Sequence, residues 1–204
     1  MVTQQQTAPS KDFPIACLGA SAGGLKAYTE LLETMPPDSP IAFVIVNHTR
    51  NTGSLLPEIL PRHTSLPVVE ITDGLRIETN HVYVIPPNYD LVLCDSTFRL
   101  LAPAEAKGWP KVITRFLCSV AREWNGQIIA VILSGLDADG VEALQAVKAV
   151  GGITFAQNIE TAKFPDMPWH AIETGCIDFV LPPAAIGRRL GNIKGPIRPS
   201  PHPS

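Results

Sequence analysis

Short runs of apolar residues alternate along the chain with stretches in which apolar residues recur at helical spacing. Residues 15–18, 41–46 and 128–133 form continuous apolar runs, which are typical of strands buried on both faces of a parallel sheet. Helical spacing is found at 25–32, 55–62, 112–124, 141–150 and, as a short helix, 170–174. This alternation predicts an α/β fold, a doubly wound, mostly parallel sheet flanked by helices.

Four further apolar runs follow one another closely between the second and third helical stretches. They cover residues 67–71, 82–85, 91–94 and 98–101, with Gly, Asn and Asp between them. We predict from this spacing a small antiparallel β insertion. The last strands of the main sheet are placed at 153–156 and 179–181.

The two ends of the chain differ in composition from its body. Residues 1–12 are polar and residues 194–204 carry four prolines, so we predict a flexible leader and a Pro-rich tail. Residues 13–193, without linker or repeat, are predicted to form one domain.

Composition narrows the classes of function. Hydrophobic residues make up 45% of the 204 and charged residues 17%, which indicates a globular protein. The net charge of −3 gives no general attraction for phosphate backbones, so no nucleic-acid partner is expected. No apolar run approaches the ~20 residues of a membrane helix, and the start lacks a secretory core. We expect a cytoplasmic protein without membrane insertion. Cys17 and Cys94 both lie within apolar runs, and we expect them to be buried thiols.

A small-residue turn joins the first predicted strand to the first helix. In Gly19-x-Ser21-x-Gly23 the glycines permit a sharp turn that exposes the serine hydroxyl, as in a nucleophile elbow. The same residues can be read as a degraded dinucleotide fingerprint ending at Gly24, although its second glycine and its later acidic residue are missing. A strand-to-helix turn without chemistry is the third interpretation.

Two polar groups that could assist a serine follow other predicted strands. His48 comes directly after the second strand, where imidazole could act as general base; the alternative is a surface histidine. Asp137 and Asp139 follow the strand 128–133, and either carboxylate could orient the imidazole. Helix N-capping by Asp139 and a weak calcium-loop pattern are alternatives. The order Ser, His, Asp differs from that of the α/β-hydrolases, so that fold is not implied.

At this point the motifs resemble a known family. Similarity to the catalytic domain of CheB-type protein-glutamate methylesterases runs from residue 15 to residue 190, in particular to the variety fused to chemotaxis methyltransferases. It is carried by the segments 19–24, the His48 loop, 82–87, 133–135 with 139–140, and 152–158. The resemblance implies a hydrolase without cofactor in which Ser21 is the nucleophile, His48 the base and Asp139 the orienting carboxylate.

The resemblance also implies a substrate. This is the glutamate methyl esters on the cytoplasmic helices of chemoreceptors, with receptor glutamine deamidation as a second activity. Ala22, Leu136 and Met167 are placed near the substrate or oxyanion position, and Leu136 stands where the family has methionine. Two family arginines are replaced here by Trp109 and Trp169, through drift or because the substrate surface is more apolar.

Regulated family members carry a receiver domain ahead of the catalytic one, where this chain has about a dozen residues. We therefore expect constitutive activity or control by a separate regulatory protein. Two other functions stay open: a catalytically weak relative that serves as a binding or scaffold module, and a nucleotide- or phosphate-binding α/β domain.

Overall fold

The computed structural model describes residues 12–47, 55–103, 111–124 and 127–197. Within these ranges seven strands form a parallel sheet in the order β3-β4-β2-β1-β7-β8-β9, and two more form an antiparallel hairpin, β5-β6. The strands are β1 (Ile15–Ala20), β2 (Ala42–Asn47), β3 (Val68–Glu70), β4 (His81–Val84), β5 (Asp90–Cys94), β6 (Thr97–Leu101), β7 (Ile128–Ile132), β8 (Ile153–Gln157) and β9 (Phe179–Leu181). The predicted doubly wound α/β class is confirmed.

Six α-helices lie within the same ranges: α1 (Gly24–Leu32), α2 (Leu56–Ile59), α3 (Val112–Glu123), α4 (Leu144–Ala149), α5 (Asp166–Glu173) and α6 (Pro183–Gly191). α1 and α6 pack together on one side of the sheet, and α3 and α4 pack together on the other. No helix in the described part of the chain is long and apolar enough to cross a membrane.

The sheet grows in both directions from β1. β2 and then β4 lie on one side of it, whereas β7, β8 and β9 lie on the other, so the direction of winding changes between β1 and β7. A crevice opens at the carboxyl ends of the strands where a parallel sheet reverses its winding. β1 and β2 are neighbours as predicted, but the reversal lies on the far side of β1.

The predicted antiparallel insertion is smaller than the four runs suggested. Only β5 and β6 pair antiparallel, whereas β4 lies between β2 and β3 and is parallel to both. The connection 71–80 contains no helix, yet it returns the chain to the same end of the sheet. Val82, Tyr83 and Val84 are all buried, as expected for an inner strand covered on both faces.

Several helical stretches differ from what the sequence predicted. The stretch predicted at 141–150 begins as a 3-10 turn, Val141–Ala143, before α4, and α5 begins four residues ahead of position 170, at Asp166. α6 was not predicted, because the prolines around its start resemble a loop, although Pro183 occupies a first-turn position that proline tolerates.

Positions near both predicted chain ends contact the core. Trp124 is fully buried and donates a hydrogen bond from Nε1 to the Phe13 carbonyl, 2.7 Å. Ile197, within the predicted tail, is buried and makes two hydrogen bonds with the side chain of Gln127. Cys17 is buried as expected, but Cys94 is exposed because the hairpin has a solvent-facing side.

Candidate active site

The serine turn lies at the carboxyl end of β1, beside the crevice. Ser21 follows β1 directly, its N–H donates to the Ser134 carbonyl (3.0 Å), and its carbonyl accepts the Gly24 N–H (3.1 Å). Gly23 has a φ of 77°, and a Cβ there would lie 2.7 Å from Ser134 Oγ. Gly19 is needed for space, since a Cβ there would lie 2.8 Å from a methyl of Ile113. Both predicted glycines are therefore required, for different reasons.

A second loop runs from the end of β7 past the serine turn. It contains Ser134, Leu136, Asp137 and Asp139, of which only Leu136 is exposed. Ser134 touches the serine turn through its carbonyl and also through its hydroxyl, which donates to the Ala22 carbonyl at 2.8 Å. The loops after β1 and β7 thus form one hydrogen-bonded unit.

Asp139 is 5% exposed and anchored by main-chain amides. Its Oδ2 accepts the Ile113 N–H at 2.7 Å, and its Oδ1 accepts the N–H groups of Thr114 (2.9 Å) and Gly140 (2.8 Å). Ile113 and Thr114 belong to the first turn of α3, so Asp139 caps a helix distant in sequence rather than its own. The positive end of α3 favours the anionic carboxylate.

Asp137 supports Asp139 from within the same loop. Asp137 Oδ1 accepts the Asp139 N–H at 2.8 Å. Among the described residues no group of three or more His, Cys, Asp or Glu side chains could hold a metal ion. The Asp137–Asp139 pair, which resembles a calcium loop in sequence, is engaged by main-chain amides.

Two of the predicted residues, His48 and Trp109, lie outside the described part of the chain. The residue before His48, Asn47, ends β2 and is the register partner of Ala20, the residue before Ser21. Asn47 Oδ1 is buried and has no hydrogen-bond partner among the described residues.

Two main-chain amides near Ser21 belong to peptide groups whose carbonyls are already bonded. The Ser21 carbonyl accepts the Gly24 N–H, and the Gly135 carbonyl accepts the Met167 N–H at 3.0 Å. In a trans peptide the following N–H points the opposite way, so the Ala22 and Leu136 amides face away from these bonds. Neither amide donates to another described residue.

Met167 and Trp169 both lie on α5 but in different environments. Met167 is fully buried, and its side chain packs against Gly135, where a Cβ would lie 2.9 Å from the Met167 methyl. Trp169 is 45% exposed and rests edge-on against His170. Met167 therefore supports the Leu136 loop from below, whereas Trp169 presents an apolar ring to solvent.

Cys17 lies in β1 behind the site. Burial, and to a lesser extent the nearby Asp139 carboxylate, raise the pKa of the Cys17 thiol. A thiol with a raised pKa stays protonated at neutral pH and is a poor nucleophile. Ser21 is therefore the better nucleophile candidate of the two.

Some residues of the site were missed by sequence reasoning. The amides of Ile113 and Thr114 carry no sequence signal, because they act through the main chain. Gln157 accepts the Ser134 N–H through its side-chain oxygen at 3.0 Å, but in the sequence it is recognisable only as the end of a strand. Ser134 falls within a segment that resembles the family, but that resemblance assigns it no role.

The fold and the site together define a doubly wound α/β domain with a serine turn and a buried carboxylate beside its crevice, together with two main-chain amides that bond to no other described residue. A model of the CheB methylesterase family matches residues 16–190. The chain belongs to the CheB methylesterase family, and it aligns with that family's catalytic domain, as the motifs predicted.

Individual relatives agree with this assignment. A putative protein-glutamate methylesterase/protein-glutamine glutaminase of Leptospira interrogans is 34% identical over 83% of this chain and 89% of its own length. Protein-glutamate methylesterase/protein-glutamine glutaminase 6 of Anaeromyxobacter dehalogenans is 34% identical over 86% of this chain. The chain spans about half, 53%, of that relative's length.

A solved structure shows the same architecture. The crystal structure of the Thermotoga maritima CheB methylesterase catalytic domain superimposes with a TM-score of 0.79 at 28% identity. The match covers 87% of this chain and 97% of that one. The relatives' names describe hydrolases, which agrees with the predicted enzyme class.

Proposed function

We propose that this domain is a serine esterase that hydrolyses glutamate methyl esters on chemoreceptors, in bacterial chemotaxis signalling, with receptor glutamine deamidation as a second activity. One observation carries the proposal: the serine turn, through the Ser21 N–H and the Ala22 carbonyl, is hydrogen-bonded to Ser134, which begins the β7 loop that continues to Leu136 and Asp139. The family and the names of its relatives agree with this chemistry.

His48 is the proposed general base. Ser21 and His48 each follow one residue after the register pair Ala20–Asn47, and neighbouring strands lie about 4.8 Å apart. This register pairing supports the proposal that His48 is the base for Ser21. Asp139, which main-chain amides hold in place, is the carboxylate proposed to orient the imidazole.

The reaction proceeds in two balanced steps. His48 takes the Ser21 hydroxyl proton as Oγ attacks the ester carbonyl carbon, and the tetrahedral intermediate collapses as His48 protonates the departing methoxide to methanol. Water, deprotonated by His48, then attacks the acyl-enzyme carbonyl carbon. The bond from that carbon to Ser21 Oγ breaks as His48 returns the proton to Ser21, and the glutamic acid product releases its own proton to solvent. Ammonia replaces methanol as the first product when the substrate is a glutamine.

The Ala22 and Leu136 amides are the proposed oxyanion donors. Both are main-chain N–H groups whose orientation is set by neighbouring hydrogen bonds, so they need no reorganisation as negative charge develops. A single donor of this kind is worth on the order of 10²–10³ in rate. No cofactor is required by this mechanism.

The substrate partner is proposed to be the cytoplasmic helices of a chemoreceptor, and the domain to act in the cytoplasm. Leu136, on the loop after β7, and Trp169, on α5, both expose apolar surface, which suits contact with apolar positions of a substrate helix. The predicted leader and tail, the domain limits at 13 and 193, and control by a separate protein stay predictions.

Methanol release from methylated chemoreceptor membranes tests the proposal, with the native chain compared against Ser21→Ala. Release that depends on Ser21 supports both the chemistry and the substrate. If a serine-directed fluorophosphonate labels Ser21 without methanol release, the esterase stands but the receptor substrate is wrong. If Ser21 is neither labelled nor needed, the chain is a binding or scaffold module.

A further inference from the structure

Ser134 is a buried serine that uses every one of its polar groups at the active site. It is 1% exposed, and its N–H donates to the buried side-chain oxygen of Gln157 at 3.0 Å. Its carbonyl accepts the Ser21 N–H at 3.0 Å. Its hydroxyl donates to the Ala22 carbonyl at 2.8 Å and accepts the Phe164 N–H at 3.0 Å. One residue therefore joins the loops that follow β1, β7 and β8.

These hydrogen bonds fix the peptide groups on either side of the one that carries the Ala22 amide. Ser134 holds the peptide before it, through the Ser21 N–H, and the peptide after it, through the Ala22 carbonyl. A peptide held on both sides has little freedom to rotate. Gly23 follows with a φ of 77° and no Cβ, which lets the hydroxyl of Ser134 approach the turn closely.

The same hydroxyl reaches the loop that carries the second amide. Phe164 donates its N–H to Ser134 Oγ and accepts the Gly135 N–H at 3.0 Å. Gly135 in turn accepts the Met167 N–H, which orients the amide of Leu136. The relative positions of the Ala22 and Leu136 amides therefore depend on a short chain of bonds that passes through Ser134.

We propose that Ser134 is a positioning residue for the reaction, whose hydroxyl sets the placement of the oxyanion donors relative to Ser21. This inference rests on the proposed function. Ser134 touches neither substrate nor proton in the mechanism; it acts through the Ala22 carbonyl and the Phe164 amide. A misplacement of about 1 Å at such a site can cost on the order of 10² in rate.

A second buried serine supplies a matched control. Ser119 is fully buried in α3, where its hydroxyl accepts the Leu93 N–H at 2.9 Å and donates to the Phe116 carbonyl at 2.7 Å. Like the Ser134 hydroxyl, the Ser119 hydroxyl is buried, accepts one main-chain N–H and donates to one carbonyl, but Ser119 joins α3 to β5. Ser119→Ala therefore measures what the loss of such a hydroxyl does to the fold alone.

The experiment compares Ser134→Ala with Ser119→Ala in the full chain. For Ser134→Ala we expect kcat for methanol release, and the rate of fluorophosphonate labelling of Ser21, to fall on the order of 10- to 100-fold. KM should change less than about threefold, since the substrate surface is untouched. Ser119→Ala should keep both rates near native, with a similar loss of thermal stability.

Two results would overturn the inference: native rates for Ser134→Ala, or equal losses for the two variants. If Ser134→Ala does not fold, Ser134→Cys is judged by the same criteria, because a thiol fills the space but bonds weakly. Failure of the proposed function is separately visible. If the reagent labels Ser21 of the native chain but no methanol is released, the labelling rate still tests the role of Ser134. If Ser21 is not labelled at all, both the proposed function and the positioning role of Ser134 are refuted.

Discussion

Replacement of Asp139 by asparagine separates two roles that one carboxylate is proposed to hold. The side chain keeps its shape, but one oxygen becomes an NH2 group. In the native protein Oδ1 accepts N–H bonds from Thr114 and Gly140, and Oδ2 accepts one from Ile113. If the asparagine oxygen keeps the first pair, its NH2 group faces the Ile113 amide, and two donors meet at the former 2.7 Å contact.

The loss of stability follows from these bonds. The Ile113 amide is left buried without an acceptor, which costs about 1–3 kcal/mol, and the remaining bonds lose the assistance of the negative charge. We expect the free energy of unfolding to fall by about 2–4 kcal/mol. Activity should fall much further, on the order of 10³–10⁴-fold, because in the proposed mechanism Asp139 selects the tautomer of the His48 imidazole.

Urea denaturation followed by circular dichroism gives the first quantity, and methanol release at a temperature where both proteins are folded gives the second. Asp137→Asn is the matched control, because its remaining oxygen can still accept the Asp139 N–H. That variant should lose less than about 1 kcal/mol and stay active. Native stability in Asp139→Asn would refute the capping argument, and near-native turnover would refute the orienting role.

Three further predictions concern other parts of the molecule. Trp169→Arg should raise methanol release from ordinary methylated receptors roughly two- to fivefold, the worth of one exposed ion pair; an unchanged rate in folded protein would favour drift. A thiol reagent should modify exposed Cys94 within minutes in native protein but Cys17 only after unfolding, because burial and Asp139 raise the pKa of the Cys17 thiol; mass spectrometry of the labelled peptides decides. Burial alone would raise the pKa of Asp178, but hydrogen bonds from Lys148 and Thr154 outweigh burial and hold the pKa below its ordinary value. Ionised Asp178 therefore stabilises the folded protein above about pH 4, and this stabilisation is lost as pH falls through the lower folded pKa. Asp178→Asn should therefore be less stable at pH 7, by about 1 kcal/mol or less for this partly exposed group, and the gap should close in thermal melts as pH falls through the lowered folded pKa.

Much of the site could be predicted because its signals are local. Gly19, Ser21 and Gly23 are neighbours in sequence, and a strand followed by small residues and a helix has few conformations open to it. A carboxylate at 137 or 139 was predicted from its position after a buried strand, where parallel strands bring polar groups to a common edge, and the family resemblance then selected Asp139. N-capping by Asp139, the alternative, is observed, although the capped helix is α3.

What the structure adds lies in partners that are distant along the chain. Asp139 is bonded to amides 25 and 26 positions earlier, and Ser134 joins loops from three different strands. No periodicity reports such bonds, because main-chain amides look alike at every position. Burial of polar groups is possible only when packing supplies these partners, so tertiary structure decides which ones they are.

The fold, like the site, was predictable where its signals are local and not where it depends on distant parts of the chain. The sequence by itself determined the buried strands, the helices between them and the serine turn, since side-chain period and glycine placement act over a few residues. Only the tertiary structure decided that β4 is an inner parallel strand, that the winding reverses between β1 and β7, and that Cys94 faces solvent. Strand pairing and exposure depend on which apolar faces the whole chain can cover at once, and no local segment carries that information.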